Sequence, residues 1–426
     1  MRAALLITLV AFGSFAQGRF DRFNARTSQG RSTRGFEQSN YAFFEFAPSS
    51  GAGMGTACAC TTPTGAKGET MTYVRAGSAT CSPLGLATTG ITNASLVECS
   101  ANLPRVESSG SVLGLRVEGA RTNVLTRFID YANATWADVA TPTLTGAQVS
   151  PWTGTYANLA VQFDDNDAVA FEGRTQTVTV TAATQYTMSC FVKAGTLAAW
   201  TLSLDGTTAS GTGLSSTTWS RVTVTDASSS GVAIAAQALN GSVVGDTGTV
   251  IWGGCQVETG AYATSMIPTV AAGVTRNADD AYFDLSTFTL GNLSLAATAQ
   301  TPSTTPVRRL HGALTKAPDD GANFIATYQD TTVLFGQFTS TAGSSTWNTG
   351  LATTTGPVRA ASFINGANVG ACINSTCATN PIGTFNPAQI TSPRRLRIGA
   401  YSTTNGNIDG VATLVCFQPD DPTRCR

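Results

Sequence analysis

Charge is scarce in this 426-residue chain: only 12% of its residues are Asp, Glu, Lys or Arg, and the formal net charge is −1. With no basic stripe there is nothing to displace counterions from phosphates, and a nucleic-acid partner is excluded. Histidine is almost missing. The single one, His311, follows "VRRL" and reads as a strand-end residue rather than a general base, because no nucleophile is signalled near it. There is no Gly-x-Ser-x-Gly elbow, no P-loop and no dinucleotide fingerprint. Beyond the N-terminus no apolar run approaches the ~18 residues of a membrane span. No amphipathic pattern reaches three helical turns. These absences point away from an enzyme and away from a helical or membrane-spanning protein.

What is present is β-rich. The segment "TQTVTVTA" (175–182) alternates strictly, and "YTMSCFVKAG", "WTLSLDG", "WSRVTVTDA", "VAIAAQAL" and "TVIWGGCQVE" are short runs of Val, Thr and aromatics. Gly, Asp and Ser punctuate them, a cadence that argues for a β-sandwich over βαβ units. A second β-rich block begins near Ala281. There "AYFDLSTFTLGNLSLAATAQ" reads as a pair of strands and "NFIATYQDTTVLFGQFTS" as a hairpin, while Asn365-Gly366 marks a type I′ turn. The expected fold is all-β: two β-sandwich domains, one a jelly-roll and one concanavalin A-like, preceded by a small Cys-rich module. The expected boundaries are a signal peptide at 1–16, a flexible leader at 17–40, the Cys-rich module at 41–123, the jelly-roll at 124–278 and the second sandwich at 279–426.

The opening "MRAALLITLVAFGSFAQG" has a positive n-region, an apolar h-region and Ser14-Phe15-Ala16 at cleavage spacing, the pattern of a secretory signal peptide. Ten cysteines, an even number, suit an exported chain with disulfides. Cys58-Ala-Cys60 is too tight for zinc. Spacing offers Cys372 with Cys377 and Cys416 with Cys425 as local staples, and Cys190 with Cys255 as a link between strands. Cys58, Cys60, Cys81 and Cys99 then pair among themselves in one of three ways, which spacing leaves open.

The stretch "LRVEGARTNVL" (115–125) gathers Arg116, Glu118, Arg121 and Asn123 in a charge-poor chain. Such a cluster can clamp a sugar or a carboxylate ligand. It can equally form an internal hub, with Arg121 paired to Glu118 or Glu258 and Asn123 capping a turn. The hub is the favoured reading. In "FDDNDAVAFEG", Asp164, Asp165 and Asp167 form an oxygen-rich loop. It reads first as a solvated acidic loop and second as a structural Ca²⁺ site, since EF-hand spacing is missing. Trp252, Trp200 and Trp219 read as core. Trp136, Trp152 and Trp347 stand near Thr/Asn/Gly loops and are the candidate sugar platforms, with Asn348 beside Trp347 as a hydroxyl partner.

Two segments, "ETMTYVRAGSAT" and "NLPRVESSGSVLGLRVEGARTNVLTRF", resemble a module of bacteriophage tail-fibre and tailspike proteins and of some secreted bacterial proteins. The marks are Tyr73-Val74-Arg75-Ala76, Asn102-Leu103-Pro104-Arg105 and Leu115 to Leu125. "IWGGCQVETGAYATSMIPT" and "VTRNAD" resemble the jelly-roll that follows in such proteins. The signal peptide and the cysteines depart from the phage pattern and favour a secreted bacterial setting. Residues 281–426 resemble a concanavalin A-like or laminin-G-like sandwich through "VRAASFINGANVG" and "RRLRIGAYSTTNGNIDGVATLVCF". Glucanases of that fold carry a Glu-x-Asp-x-x-Glu strand, and this block has no Glu at all. The expected function is a secreted, non-enzymatic, carbohydrate-binding or adhesion protein. Its expected partner is a glycan or cell-surface polymer, and it needs no cofactor. The alternatives are a self-associating fibre component, a homo-oligomer without a sugar site, and a carboxylate-dependent hydrolase.

Overall fold

The computed structural model describes residues 42–45, 60, 71–82, 89–109, 112–285, 293–300, 309–316, 323–329, 333–340, 343–352, 358–373, 376–390, 394–398 and 410–418. Among these, regular structure is β apart from short 3₁₀ turns. The N-terminal part gives β1 (Ala42–Glu45), β2 (Thr72–Val74), β3 (Ala79–Cys81), β4 (Val97–Cys99), β5 (Arg105–Ser109), β6 (Val112–Val117) and β7 (Arg121–Asn123). The middle gives β8 (Ala137–Val139), β9 (Thr143–Gln148), β10 (Ala160–Asp165), β11 (Gly173–Thr179), β12 (Tyr186–Ala194) and β13 (Trp200–Leu204). It continues with β14 (Thr207–Gly211), β15 (Ser220–Asp226), β16 (Ala233–Asn240), β17 (Gly248–Thr259) and β18 (Val274–Arg276).

The middle strands form two five-stranded sheets, ordered β15-β12-β17-β10-β9 and β14-β13-β16-β11-β8. Strands β10 to β17 thus follow jelly-roll order, changing sheet at every step except the β13–β14 hairpin, with β8 and β9 widening one edge of each. Met188, Cys190, Val192, Leu202, Leu204, Ile234, Ala236, Trp252 and Val257 fill the space between them. The sheets differ on their outer faces. β11 alternates buried and open positions, as a half-solvated strand should. β12 is buried at every position, because its outer face carries a second core of Ile91, Leu96, Phe128, Trp152, Phe191 and Trp219.

Gly253 and Gly254 shape that second core. The β12–β17 register slips between Cys190 and Val192, so β17 bulges there. Gly254 sits at φ +121°, and a Cβ on Gly253 would lie 2.7 Å from Pro151 and 2.8 Å from Trp219.

The last block gives β19 (Asp280–Leu285), β20 (Leu293–Gln300), β21 (Arg309–Lys316), β22 (Phe324–Gln329), β23 (Val333–Ser340) and β24 (Gly343–Ala352). It ends with β25 (Val358–Asn365), β26 (Asn368–Ile373), β27 (Thr376–Pro381), β28 (Arg394–Ile398) and β29 (Gly410–Gln418). They form a second sandwich, and its sheets need the N-terminal strands. One sheet runs β27-β26-β25-β20-β29-β6-β5, with β1 also on β29, and the other runs β2-β19-β28-β21-β22-β23-β24. Met71, Tyr73, Leu115 and Val117 share a core with Leu295, Ile325 and Leu396. The expected stand-alone module at 41–123 is therefore divided. β1, β2, β5 and β6 complete the second sandwich, while residues 91–96 cap the outer face of the jelly-roll. A short apolar strand has no stability alone and joins whichever sheet edge lies open.

Two local expectations change as well. "AYFDLSTFTLGNLSLAATAQ" does supply two strands, β19 and β20, but they lie in opposite sheets. The hairpin at Asn365-Gly366 closes with Asn365 facing Asn368. Its turn is centred on Gly366 and Ala367, with only Gly366 (φ +59°) left-handed, which is the II′ pattern rather than I′.

Candidate functional site

The charged stretch 115–125 lies between three parts of the chain. Glu118 follows β6 and is fully buried. It accepts from the Ser265 amide at 2.9 Å and meets Arg276 at 2.6 Å and Arg105 at 2.9 Å. Arg105 also reaches Asp279 at 2.7 Å, and Arg75 lies 3.5 Å from Asp279. Arg116 pairs with Glu107 at 2.7 Å. Arg75 further donates to the carbonyls of Gly77, Cys99 and Ser100 and to the Tyr73 hydroxyl. Burial alone would raise the Glu118 carboxyl, but Arg276, Arg105 and Arg116 overcome it and hold the group well below the usual carboxylate range.

Arg121 pairs with Glu258 at 3.7 Å. Of the two partners the sequence offered, Glu258 is the one it meets. Asn123 closes a turn, its Oδ1 accepting from the Leu125 amide at 3.1 Å and from the Val257 amide of β17 at 3.1 Å. Its Nδ2 donates to the Ile267 carbonyl at 2.8 Å. Glu258 accepts from Thr264 and Gln256, and burial pushes its carboxyl up. Arg116, Glu118 and Asn123 are sealed from solvent, and each is engaged by partners inside the protein. The partners Arg105, Glu107, Arg276 and Asp279 escaped the sequence reading. All four did stand inside the segments quoted for the resemblance, which was the available signal.

The tryptophan platforms need correction. Trp136 and Trp152 are 1% and 0% exposed. The Trp136 indole donates to the Arg127 carbonyl and that of Trp152 to the Gly253 carbonyl. A ring with its face packed and its N–H engaged cannot stack on a sugar. Trp347 lies in strand β24 opposite Gly336, with Asn348 opposite Phe335, rather than in a loop; the side chains of both lie outside the described ones.

The acidic loop is also rearranged. Asp164 and Asp165 are neighbours on β10 and point to opposite faces, so they cannot share a metal. Asp165 accepts from the amides of Asp167 and Glu172, and Asp167 from that of Val169. Glu172 accepts from the Thr141 and Asn166 amides. Among the described residues no group of His, Cys, Asp and Glu is placed to hold a metal ion.

Disulfides join Cys60 to Cys99, Cys190 to Cys255 and Cys372 to Cys377, and Cys81 is disulfide-bonded too. Cys58, Cys425 and the Cys416 side chain lie outside the described residues.

The described surface offers a cleft of about 590 Å³ beside β11, lined by Val124, Thr126, Thr135, Ala137, Thr175, Gln176, Thr177, Val178, Thr179 and Gly273. It exists because β8 covers only Gly173 to Thr175 of β11. Farther along, the strand edge faces the segment 123–128, which runs from β17 across to the other sheet. Gln176 clasps that segment, donating to the Thr126 carbonyl at 2.9 Å and accepting from its amide at 2.8 Å. The lining is hydroxyls, methyls and an amide, with no ionisable group. Such a surface can accept a neutral, hydroxyl-rich ligand and has no group for acid–base chemistry.

No family model matches this chain, and no curated protein matches it. Among solved structures it is similar to the N-terminal CBM22-1-CBM22-2 tandem domain from Paenibacillus barcinonensis Xyn10C, at 10% identity and a TM-score of 0.25, over 71% of this chain and 99% of that one. The fold assignment rests on the strand order above. Among the described residues no helix is long and apolar enough to cross a membrane.

Proposed function

We propose that this is an extracellular, non-catalytic β-sandwich protein that holds a glycan or a similar neutral surface polymer in the cleft beside β11. The observation that carries this reading is the uncharged lining: Thr135, Thr175, Thr177 and Thr179 offer hydroxyls next to the methyls of Val124 and Ala137. Sugars present that same mixture of hydroxyls and C–H faces. The disulfides suit an oxidising compartment. Carboxylate-dependent hydrolysis finds no support in a cleft whose lining contains no Asp or Glu. Glycan-array binding of the full chain tests the proposal. Thr177→Lys, which fills the cleft from an exposed position, is expected to lower the signal at least about tenfold, a loss of roughly 1.4 kcal/mol. An array signal unchanged by Thr177→Lys would sink it.

One observation favours a second reading, self-association. The loops holding Val169 and Val243-Val244 touch, Ala168 meeting Gly245, and together they present these valines to solvent, Val169 at 82% exposure. Adjacent bare apolar residues mark contact surfaces. Sedimentation velocity across a concentration range, with Val169→Ser and Val244→Ser together, decides it: loss of the oligomer supports association through this tip, and a monomeric parent excludes it.

A further inference from the structure

Two backbone hydrogen bonds fix which way each residue of β11 turns its main chain. The Asn240 amide donates to the Glu172 carbonyl at 3.0 Å, and the Val180 amide to the Val232 carbonyl at 2.9 Å. These pairs flank the antiparallel ladder that runs from Gly173↔Leu239 to Thr179↔Ala233. In such a ladder hydrogen-bonded and non-hydrogen-bonded pairs alternate. Arg174, Gln176 and Val178 therefore spend their N–H and C=O groups on β16, while Gly173, Thr175, Thr177 and Thr179 turn theirs to the opposite edge. β8 meets that edge at Gly173 and Thr175, through Val139 and Ala137, and stops. Among the described residues no strand reaches Thr177 or Thr179 from that side. Their two N–H and two C=O groups open into the cleft beside β11. Val178 lines the same cleft although its side chain is packed in the core, as a wall of main chain requires.

An N–H beside a C=O is met best by a group that both donates and accepts, and a hydroxyl does both. A carboxylate or phosphate would face the carbonyls, an ammonium the N–H groups, and neither finds a counter-charge in this lining. An extended peptide also alternates donors and acceptors, but the chain at Thr135 and Ala137 closes one end of the edge. The free stretch Gln176–Thr179 is about 13 Å long, short of the roughly 17–20 Å of an ordinary strand. It is longer than one sugar ring. Thr177 and Thr179 present their groups about 7 Å apart, a repeat that successive rings of a chain can follow.

Resting on the glycan reading above, we infer that the open edge of β11 is the polar rail of the cleft. The N–H and C=O groups of Thr177 and Thr179 exchange hydrogen bonds with the hydroxyls of a linear, neutral polysaccharide, an internal stretch of which lies along the strand. Recognition then sits in the main chain, and a change to the backbone removes it.

The test uses the full chain with cellohexaose, mannohexaose and maltohexaose, and with glucose and mannose as single rings. At least one hexaose is expected to bind about tenfold or more tightly than its monosaccharide and to slow hydrogen exchange at the Thr177 and Thr179 amides. Thr177→Pro deletes an N–H that β16 does not use, a change that an open edge tolerates, and is expected to weaken the hexaose about tenfold or more. Thr177→Val removes the hydroxyl but keeps the N–H, and is expected to lose less. Should Thr177→Pro fail to fold, the exchange measurement on the parent decides alone. Equal losses in the two variants, a monosaccharide that binds as tightly as the hexaose, or unchanged exchange at both amides with hexaose bound overturns the inference and leaves the glycan reading standing. Slowing of those amides by a Thr-Val hexapeptide and by no sugar overturns it in favour of strand addition. A parent that binds none of the hexaoses overturns it too, and the glycan array then decides the broader reading.

Discussion

Glu118 and Glu258 are both sealed from solvent, yet their surroundings drive them in opposite directions. Glu118 sits among three guanidiniums and stays ionised well below the usual range, whereas burial raises Glu258, whose cation Arg121 stands 3.7 Å away. The linkage signs follow. Glu118 binds its proton more weakly folded than unfolded, so its stabilisation is complete above the unfolded value near pH ~4 and is lost as pH falls through the folded one. Glu258 binds its proton more tightly when folded, so stability falls as pH rises from its unfolded value through its folded one. Glu118→Gln, which strands Arg276 and leaves Arg105 only Asp279, is expected to cost about 3–5 kcal/mol at neutral pH. Glu258→Gln is expected to cost far less and to flatten the decline in stability above about pH 4. Urea unfolding over a pH series checks both, and an unchanged slope in Glu258→Gln contradicts the assignment.

At the scale of elements, strand pairing and crosslinks divide the work. The Cys190–Cys255 bond joins β12 to β17 across a sequence separation of 65, and Cys372–Cys377 clips the β26–β27 hairpin across 5. Chain entropy makes the longer closure worth more, about 4 kcal/mol against about 2. Replacing each pair by alanine should reproduce that order in guanidinium midpoints; equal losses would show that strand packing rather than loop closure sets the effect. The β17 bulge gives a sharper case. Gly253→Ala places a methyl group against Pro151 and Trp219, and an overpacked contact of this kind costs about 1–3 kcal/mol. Gly146, with nothing within 4 Å of a new Cβ, is the control, and Gly146→Ala should leave the melting temperature nearly unchanged.

For the whole molecule, the N-terminal part is a shared component rather than a separate body. It contributes β2, β5 and β6 to the second sandwich, and Ile91 and Leu96 to the cover over Trp152 and Trp219. A fragment beginning at residue 124 would expose that tryptophan-rich face, and one beginning at 279 would lack strands from both sheets. Both fragments are expected to bind a hydrophobic dye and aggregate where the full chain does not. A monomeric, dye-silent 124–278 fragment would restore the independent jelly-roll that the sequence implied.

Strand cadence, the Cys190–Cys255 link and the importance of residues 115–125 were legible in the sequence, because each rests on local pattern: alternation, matched cysteines, charge where charge is rare. The cluster's partners were not. Glu118 is 147 residues from Ser265 and 158 from Arg276, and no periodicity reports a contact at that range. The tryptophans make the same point from the other side. Trp136 and Trp152 have polar neighbours along the chain and were read as exposed platforms, while what covers them comes from elsewhere in the fold. The sequence determined that this protein is built of strands and where its rare charges cluster. Only the tertiary structure decided which faces are covered, since burial depends on elements brought together from distant parts of the chain. That burial turns "LRVEGARTNVL" into an internal joint and leaves the uncharged edge of β11 open.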